Sequence, residues 1–393
     1  MFKVCTLNKI SQAGLRELPD DAYAVGDQVG EPDALLVRSA DLHAMDFGDQ
    51  LKAIARAGAG VNNIPIDRCS EQGIVVFNTP GGNANSVKEL VIAGLLLAAR
   101  DIQSGLQWVR ENAGTENLER VVEKEKTRFA GHEIMGKTLG VVGLGAIGVM
   151  VSNAAEALGM RVIGYDPFIS VESAWGLARE VERARTIDDV LGQSDYISLH
   201  IPLNDDTRGT INTYSIGLMK PGTCLLNFAR GALVDEAAIL EALNSGKIGT
   251  YVTDFPTSAL ASHPRVLGVP HLGASTAEAE ENCAVMAARQ IKAFLEDGNI
   301  RNSVNFPRCE LGAPDGQRIL VANRNIPNMV GQITTILAEH SINIADLLNR
   351  HRGDLAYNII DIEGDVSHKT VDQLRAIEGV IFVRTVLPGA HSW

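Results

Sequence analysis

The chain of 393 residues is short of several things, and each shortage narrows its chemistry. It has five cysteines, Cys5, Cys69, Cys224, Cys283 and Cys309, odd in number and scattered, with no CxxC pair and no zinc spacing. That excludes a disulfide scaffold, gives no reason to expect a bound metal, and reads as reduced thiols in the cytoplasm. Positive charge is scarce: 35 Lys and Arg against 48 Asp and Glu leave a net charge of −13. Nucleic-acid binders carry basic patches that neutralise phosphates, so no nucleic-acid partner is expected, while a local pocket for a small anion stays open. Long apolar runs are missing as well. The longest, residues 90–99, falls short of the roughly 20 residues that span a bilayer and reads as a buried helix. The first residues, MFKVCTLNKI, lack the apolar core and cleavage site of a signal peptide, so a cytoplasmic protein with no membrane partner is expected.

What is present points to an α/β protein. The length holds two to three domains at roughly 100–200 residues each. Short apolar runs alternate with helical patterns over residues 1–98, and again over 137–270, from TLGVVG (138–143) to RVLGVP (265–270). Such alternation is the pattern of parallel, doubly wound sheets. The charged stretch 100–136 reads as helical with a solvated face, and TAEAEENCAVMAARQIKAFLED (276–297) as one long amphipathic helix. Residues 304–317, polar and rich in Pro and Gly, read as a linker. The block 318–393 reads βαββαβ, a ferredoxin-like unit. The expected layout is a substrate-binding domain (1–98 with 276–303), a dinucleotide domain (99–275) and the C-terminal block, with a cleft between the two doubly wound domains.

Gly143-Leu144-Gly145-Ala146-Ile147-Gly148 is G-x-G-x-x-G between an apolar strand and a helical pattern. Glycines at these positions permit a tight turn, close approach of a pyrophosphate and close helix packing, and the helix N-terminus offers free N–H groups. Asp166 ends the next strand, where a carboxylate accepts from an adenosine ribose. No Arg follows to take a 2′-phosphate, so NAD is expected over NADP. Arg230, in LLNFARGALVDEAAI, and His271, in PHLGAST, also stand where strands run into turns, the edge at which doubly wound sheets bind ligands. A guanidinium grips a carboxylate at two points, and an imidazole suits proton transfer near neutrality. The plain alternative for Arg230 is a loop residue paired with Asp235.

GKTLGVVGLGAIG, YDP, SDYISLHIPL, MKPGTCLLNFARGALVDEAAI and PHLGAST occur in an order that resembles the D-isomer-specific 2-hydroxyacid dehydrogenases over essentially residues 1–300. The resemblance implies substrate binding by Arg230 and proton transfer by His271. It also implies a cofactor site that adds His200, Pro202, Ala229, Asp254 and Gly273 to the glycine loop and Asp166. LLVRSA, ARAGAGVNNI and NTPGGNANSVKEL resemble the branch of the family that oxidises D-3-phosphoglycerate, the first step of serine biosynthesis. A substrate bearing both carboxylate and phosphate needs more cations, and Arg38 and Arg56 at strand ends are the candidates. Ser39 and the backbone near Gly58, Ala59, Gly60, Gly81, Gly82 and Asn83 complete the expected substrate site. The C-terminal block resembles an ACT domain. Its effector positions fall on Asn323, where the family has His, and on Asn325 and Asn343. The resemblance implies feedback by an amino acid such as serine and a homodimer or homotetramer, the 100–136 segment helping a dimer to form.

The pattern breaks at one place. Family members carry a Glu that bonds the catalytic imidazole, within a run resembling Asp-Val-Phe-x-x-Glu-Pro. Here VTDFPTSALASHP puts Ser258 at the Glu position and Thr253 at that of the nicotinamide-contacting Asp. Asp254 is shifted by one residue, which in a strand reverses the face. Three readings follow: Asp254 reaches the nicotinamide through a bulge, another carboxylate orients His271, or His271 works without one and has a more acidic optimum. Two other functions stay open. One is a 2-hydroxyacid dehydrogenase for lactate-, glyoxylate- or 2-hydroxyglutarate-like acids. The other is an NAD-sensing protein without turnover.

Overall fold

The computed structural model describes residues 1–314 and 316–387; the last residues of the C-terminal block, 388–393, lie outside the described residues. The first sheet contains β1 (Phe2–Leu7), β2 (Tyr23–Gly26), β3 (Ala34–Val37), β4 (Ala53–Arg56) and β5 (Val75–Phe77). They pair in the order β2-β1-β3-β4-β5, all parallel. The second contains β6 (Thr138–Val142), β7 (Arg161–Tyr165), β8 (Glu182–Arg183), β9 (Tyr196–Leu199), β10 (Thr223–Asn227), β11 (Ile248–Thr253) and β12 (Val266–Gly268). Its order is β12-β11-β10-β9-β6-β7-β8, again parallel. Strand order reverses between β6 and β9, the switch point at which such sheets bind ligands. Their central strands are mostly apolar because both faces are covered: every residue of β3, β6, β9 and β10 is buried.

By contacts the chain falls into two compact units, Met1–Asn83 together with the chain from Ala277, and Ala84–Thr276. The helix Ala84–Ala99, expected in the first domain, therefore belongs with the second unit. Its buried stripe Val87, Val91 and Leu95 shares a core with Leu139, Val141 and Val151. Helices Ile102–Glu111 and Leu118–Glu125 of the same unit bury no residue.

In the first unit, the helix Ala277–Asp297 sets Ala284, Ala287, Ala288, Ile291 and Phe294 into the same core as Ala53, Ala55 and Phe77 of the first sheet. Spacing of three and four residues puts them on one face. The third sheet, β13 (Gln317–Arg324), β14 (Asn343–Arg352), β15 (Leu355–Glu363) and β16 (Val380–Val386), is antiparallel in the order β14-β15-β13-β16, the expected ferredoxin-like arrangement. Leu320 and Tyr357 from this sheet enter that same core.

The last carbonyls of a helix have no partner within it. Three strands of the third sheet supply partners for this one. Arg318 donates through Nη1 to the Asp297 carbonyl at 2.8 Å, and the Tyr357 hydroxyl donates to the Gly298 carbonyl at 2.8 Å. Arg384 donates to the Phe294 carbonyl and lies 4.5 Å over the Phe294 ring. Arg318 is fully buried and pairs in two-point fashion with Asp361, at 2.6 and 2.9 Å. The expected linker is itself packed. Phe306 and Cys309 are buried, Ile300 bridges Cys309, and Asn305 bonds the Val76 N–H and the Ile74 carbonyl, so its amide serves the sheet edge. Among the described residues no helix is long and apolar enough to cross a membrane.

Arg318→Ala strands a largely buried carboxylate and a helix-end carbonyl. It should lower unfolding free energy by about 3–5 kcal/mol in urea titrations, and Arg318→Lys should restore only part, lacking the two-point geometry.

Candidate active site

In the second unit, the loop after β6 has the geometry that its glycines require. Gly143 has φ of 95°, and a Cβ there would meet the His200 carbonyl at 2.7 Å. A Cβ on Gly148 would stand 1.9 Å from the Gly143 oxygen, so this glycine lets the helix Ala146–Ala157 approach the loop. Gly145, its N-cap residue, has open space where a side chain would go. Space beside free N–H groups of Ala146 and Ile147 at a helix N-terminus suits a pyrophosphate. Asp166 follows β7. Its Oδ2 accepts from the Leu144 N–H and its Oδ1 from the Phe168 N–H, both at 2.8 Å, so the carboxylate is tied to the glycine loop.

His200 follows β9, and its Nε2 lies 2.9 Å from the Ser198 hydroxyl. Burial lowers its pKa to about 4, so it is neutral at physiological pH. The Pro202 carbonyl accepts from the Thr207 hydroxyl at 2.6 Å. Ala229 N–H donates to the Asn227 side chain at 3.2 Å.

Arg230 opens a short turn after β10. The fully buried Asn227 shapes that turn by donating to the Arg230 carbonyl at 2.9 Å. The Arg230 guanidinium donates to the Ala229 carbonyl at 2.7 Å. Asp235 is not its partner: it caps the helix Glu236–Ser245 by accepting from the Ala238 N–H.

His271 is exposed and has φ of 42°, a left-handed conformation uncommon for a residue with a side chain. Strain of this kind gathers at functional sites. Its N–H lies 3.1 Å from the Asp254 carbonyl and 3.0 Å from that of Val269, and its ring packs on Phe255 with centroids 4.8 Å apart.

Asp254 is 2% exposed. Its Oδ2 accepts from the Gly273 N–H at 3.3 Å, and among the described residues its buried Oδ1 has no partner. Burial raises its pKa above 3.8; the positive charge of His271, the Gly273 N–H and Arg230 oppose that rise. Thr253 is buried and accepts from the Phe255 N–H, and Ser258 begins the exposed turn of helix Ser258–Ala261, so neither supplies a carboxylate.

The expected substrate residues lie in the first unit, at the carboxyl ends of its strands. Arg38 follows β3 and pairs with Glu280 at 2.6 Å. Arg56 ends β4 and donates to the carbonyls of Arg38 and Gly60. Ser39 N–H is taken by the Asn8 side chain, Gly58 N–H by the Arg56 carbonyl and Gly82 N–H by the Thr79 carbonyl. Among the described residues the N–H groups of Ala59, Gly60 and Gly81 have no partner, and Asn83 closes this loop. In the third sheet, Asn323, Asn325, Asn328 and Asn349 line a cavity of about 190 Å³. Asn343 does not line it; its side chain donates to Glu363 at 2.7 Å. Asn349 joins instead, through Asn358 to Asn323, at 2.7 and 2.8 Å. Sequence reading missed Asn227, Asn349 and Glu280. Only Asn227, beside Arg230 in LLNFARG, carried a local signal.

Residues 92–273 match the family described as D-isomer specific 2-hydroxyacid dehydrogenase, NAD binding domain. The chain belongs to the D-isomer-specific 2-hydroxyacid dehydrogenases. Within that class it is similar to D-3-phosphoglycerate dehydrogenase of Escherichia coli, 34% identical over 86% of this chain and 82% of the relative. It is 36% identical to D-3-phosphoglycerate dehydrogenase of Methanocaldococcus jannaschii, over 86% of this chain and 63% of that protein, so it spans under two thirds of that relative's length. Its fold is like that of an NAD⁺-bound 3-phosphoglycerate dehydrogenase from Entamoeba histolytica, with TM-score 0.60 and 26% identity over 77% of this chain and 98% of that one.

Two outcomes follow. Gly145→Ala finds open space and should leave thermal stability unchanged, while NADH affinity in a fluorescence titration falls at least about tenfold as the methyl occupies the phosphate's place. Retained affinity would show that the cofactor lies elsewhere. Asp254→Asn tests the buried charge. A carboxyl whose folded pKa is raised loses stability as pH rises through that value. The variant should therefore match wild type below pH 3.8 and exceed it at pH 7 in urea unfolding.

Proposed function

We propose that the chain oxidises D-3-phosphoglycerate to 3-phosphohydroxypyruvate with NAD. The observation that carries this is the convergence of Arg230, strained His271 and buried Asp254 in one unit with the glycine loop, together with relatives bearing that activity in their names. NAD, when bound, accepts the hydride from substrate C2. The residues do the rest. His271 takes the hydroxyl proton as the carbonyl forms, and gives it back in reduction. Arg230 holds the carboxylate and the reacting oxygen. Asp254 fixes the turn that carries His271 through its carbonyl, which accepts the His271 N–H. Arg38 and Arg56 receive the phosphate, and the open N–H groups of Ala59, Gly60 and Gly81 the carboxylate.

The exposed apolar residues Ile102, Leu106 and Val109 on a helix that buries nothing support a homodimer, with a tetramer as the alternative. The asparagine-lined cavity of the third sheet supports an amino-acid effector, serine first, acting in an ACT-like domain. Five buried free cysteines accord with a reducing cytoplasm.

Comparing kcat/KM for phosphohydroxypyruvate and pyruvate tests the substrate. A strong preference for the phosphorylated acid, and a selective rise in its KM in Arg38→Ala, are expected; equal use of both acids would overturn the assignment.

A further inference from the structure

Arg38, proposed above as a phosphate cation, is already held by a carboxylate. Its Nη2 lies 2.6 Å from Glu280 Oε1, with both side chains about two-fifths exposed, at 42% and 43%. Glu280 sits in the first turn of the helix Ala277–Asp297, where the positive end of the helix favours a negative charge. The next turn meets another part of the expected substrate site. A Cβ on Gly82 would touch Cys283 Sγ at 2.9 Å, so the loop 79–82 rests on it. Arg38 and Arg56 both act on the Cys283 thiol, whose pKa burial raises and these two charges oppose. Arg56 is meanwhile folded into its own loop by bonds to Arg38 O and Gly60 O. The Arg38 guanidinium thus already meets an anion, Glu280.

We infer that Glu280 is a specificity-setting counter-ion: a substrate phosphate must take Arg38 from it. Such an exchange is feasible because the pair is exposed and therefore weak. A phosphate with close to two charges and three acceptor oxygens outcompetes one carboxylate for a guanidinium. The exchange still reduces affinity for phosphorylated acids, and leaves acids without a phosphate untouched because they do not call on Arg38. Glu280 touches neither of the reacting atoms; it acts through Arg38.

This rests on the substrate reading above, and the experiment separates the two. Full-length wild type, Glu280→Gln, Arg38→Ala and the double variant are compared with phosphohydroxypyruvate and hydroxypyruvate as substrates, and by the thermal shift that D-3-phosphoglycerate gives. Glu280→Gln should lower KM for the phosphorylated acid about two- to fivefold, the worth of an exposed ion pair. It should enlarge the thermal shift, leave kcat and the hydroxypyruvate KM unchanged, and have no effect in the Arg38→Ala background. An unchanged or higher KM for the phosphorylated acid in Glu280→Gln, with Arg38→Ala raising it, overturns the role of Glu280 alone. An unchanged KM in Arg38→Ala overturns the phosphate assignment on which it rests.

Discussion

A buried carboxylate is unfavourable unless cations and donors face it, and the proposed reaction centre is arranged around one. Asp254 stands past the end of β11 with almost no exposure, and its main chain and side chain do different jobs. The carbonyl accepts the His271 N–H and so helps to hold a turn that a residue with a side chain seldom adopts; the carboxylate accepts the Gly273 N–H. What opposes the burial penalty is chiefly the charge of His271, then Gly273 and Arg230. Asp254 and His271 are thus linked twice, through the main chain and through charge.

The first unit is organised by a single helix used at both ends. Its first turn meets Arg38 through Glu280, and its last carbonyls are taken by Arg318, Arg384 and Tyr357 of the third sheet. The segment between helix and sheet puts Phe306 and Cys309 into the core that the first and third sheets share. An effector in the asparagine-lined cavity would act on a body that includes Arg38.

Much of this was legible in the chain. The central strands read as apolar runs because both their faces are covered, and G-x-G-x-x-G could be placed because a strand precedes it and a helix follows. The edges were not legible: β8 is two exposed charged residues and β2 four residues, so neither shows a periodic pattern. The role of Asp254 was harder to read, for a definite reason. Alternation of faces holds within a strand, and β11 ends at Thr253, so the one-residue shift does not by itself set where the Asp254 side chain goes. Glu280 and Arg38 lie in distant parts of the sequence, and only the packing of the helix on the first sheet brings them together. The linker looked open because it is polar, yet its asparagine serves the main chain of the sheet edge.

The most direct measurement is the rate of NADH appearance from D-3-phosphoglycerate, in wild type and in His271→Ala, with NADH affinity measured alongside. The account predicts steady turnover by wild type and a loss of at least ~100-fold in the variant, the usual worth of a general acid–base group, with cofactor affinity retained. Equal rates in the two proteins, or no NADH from wild type, would contradict it.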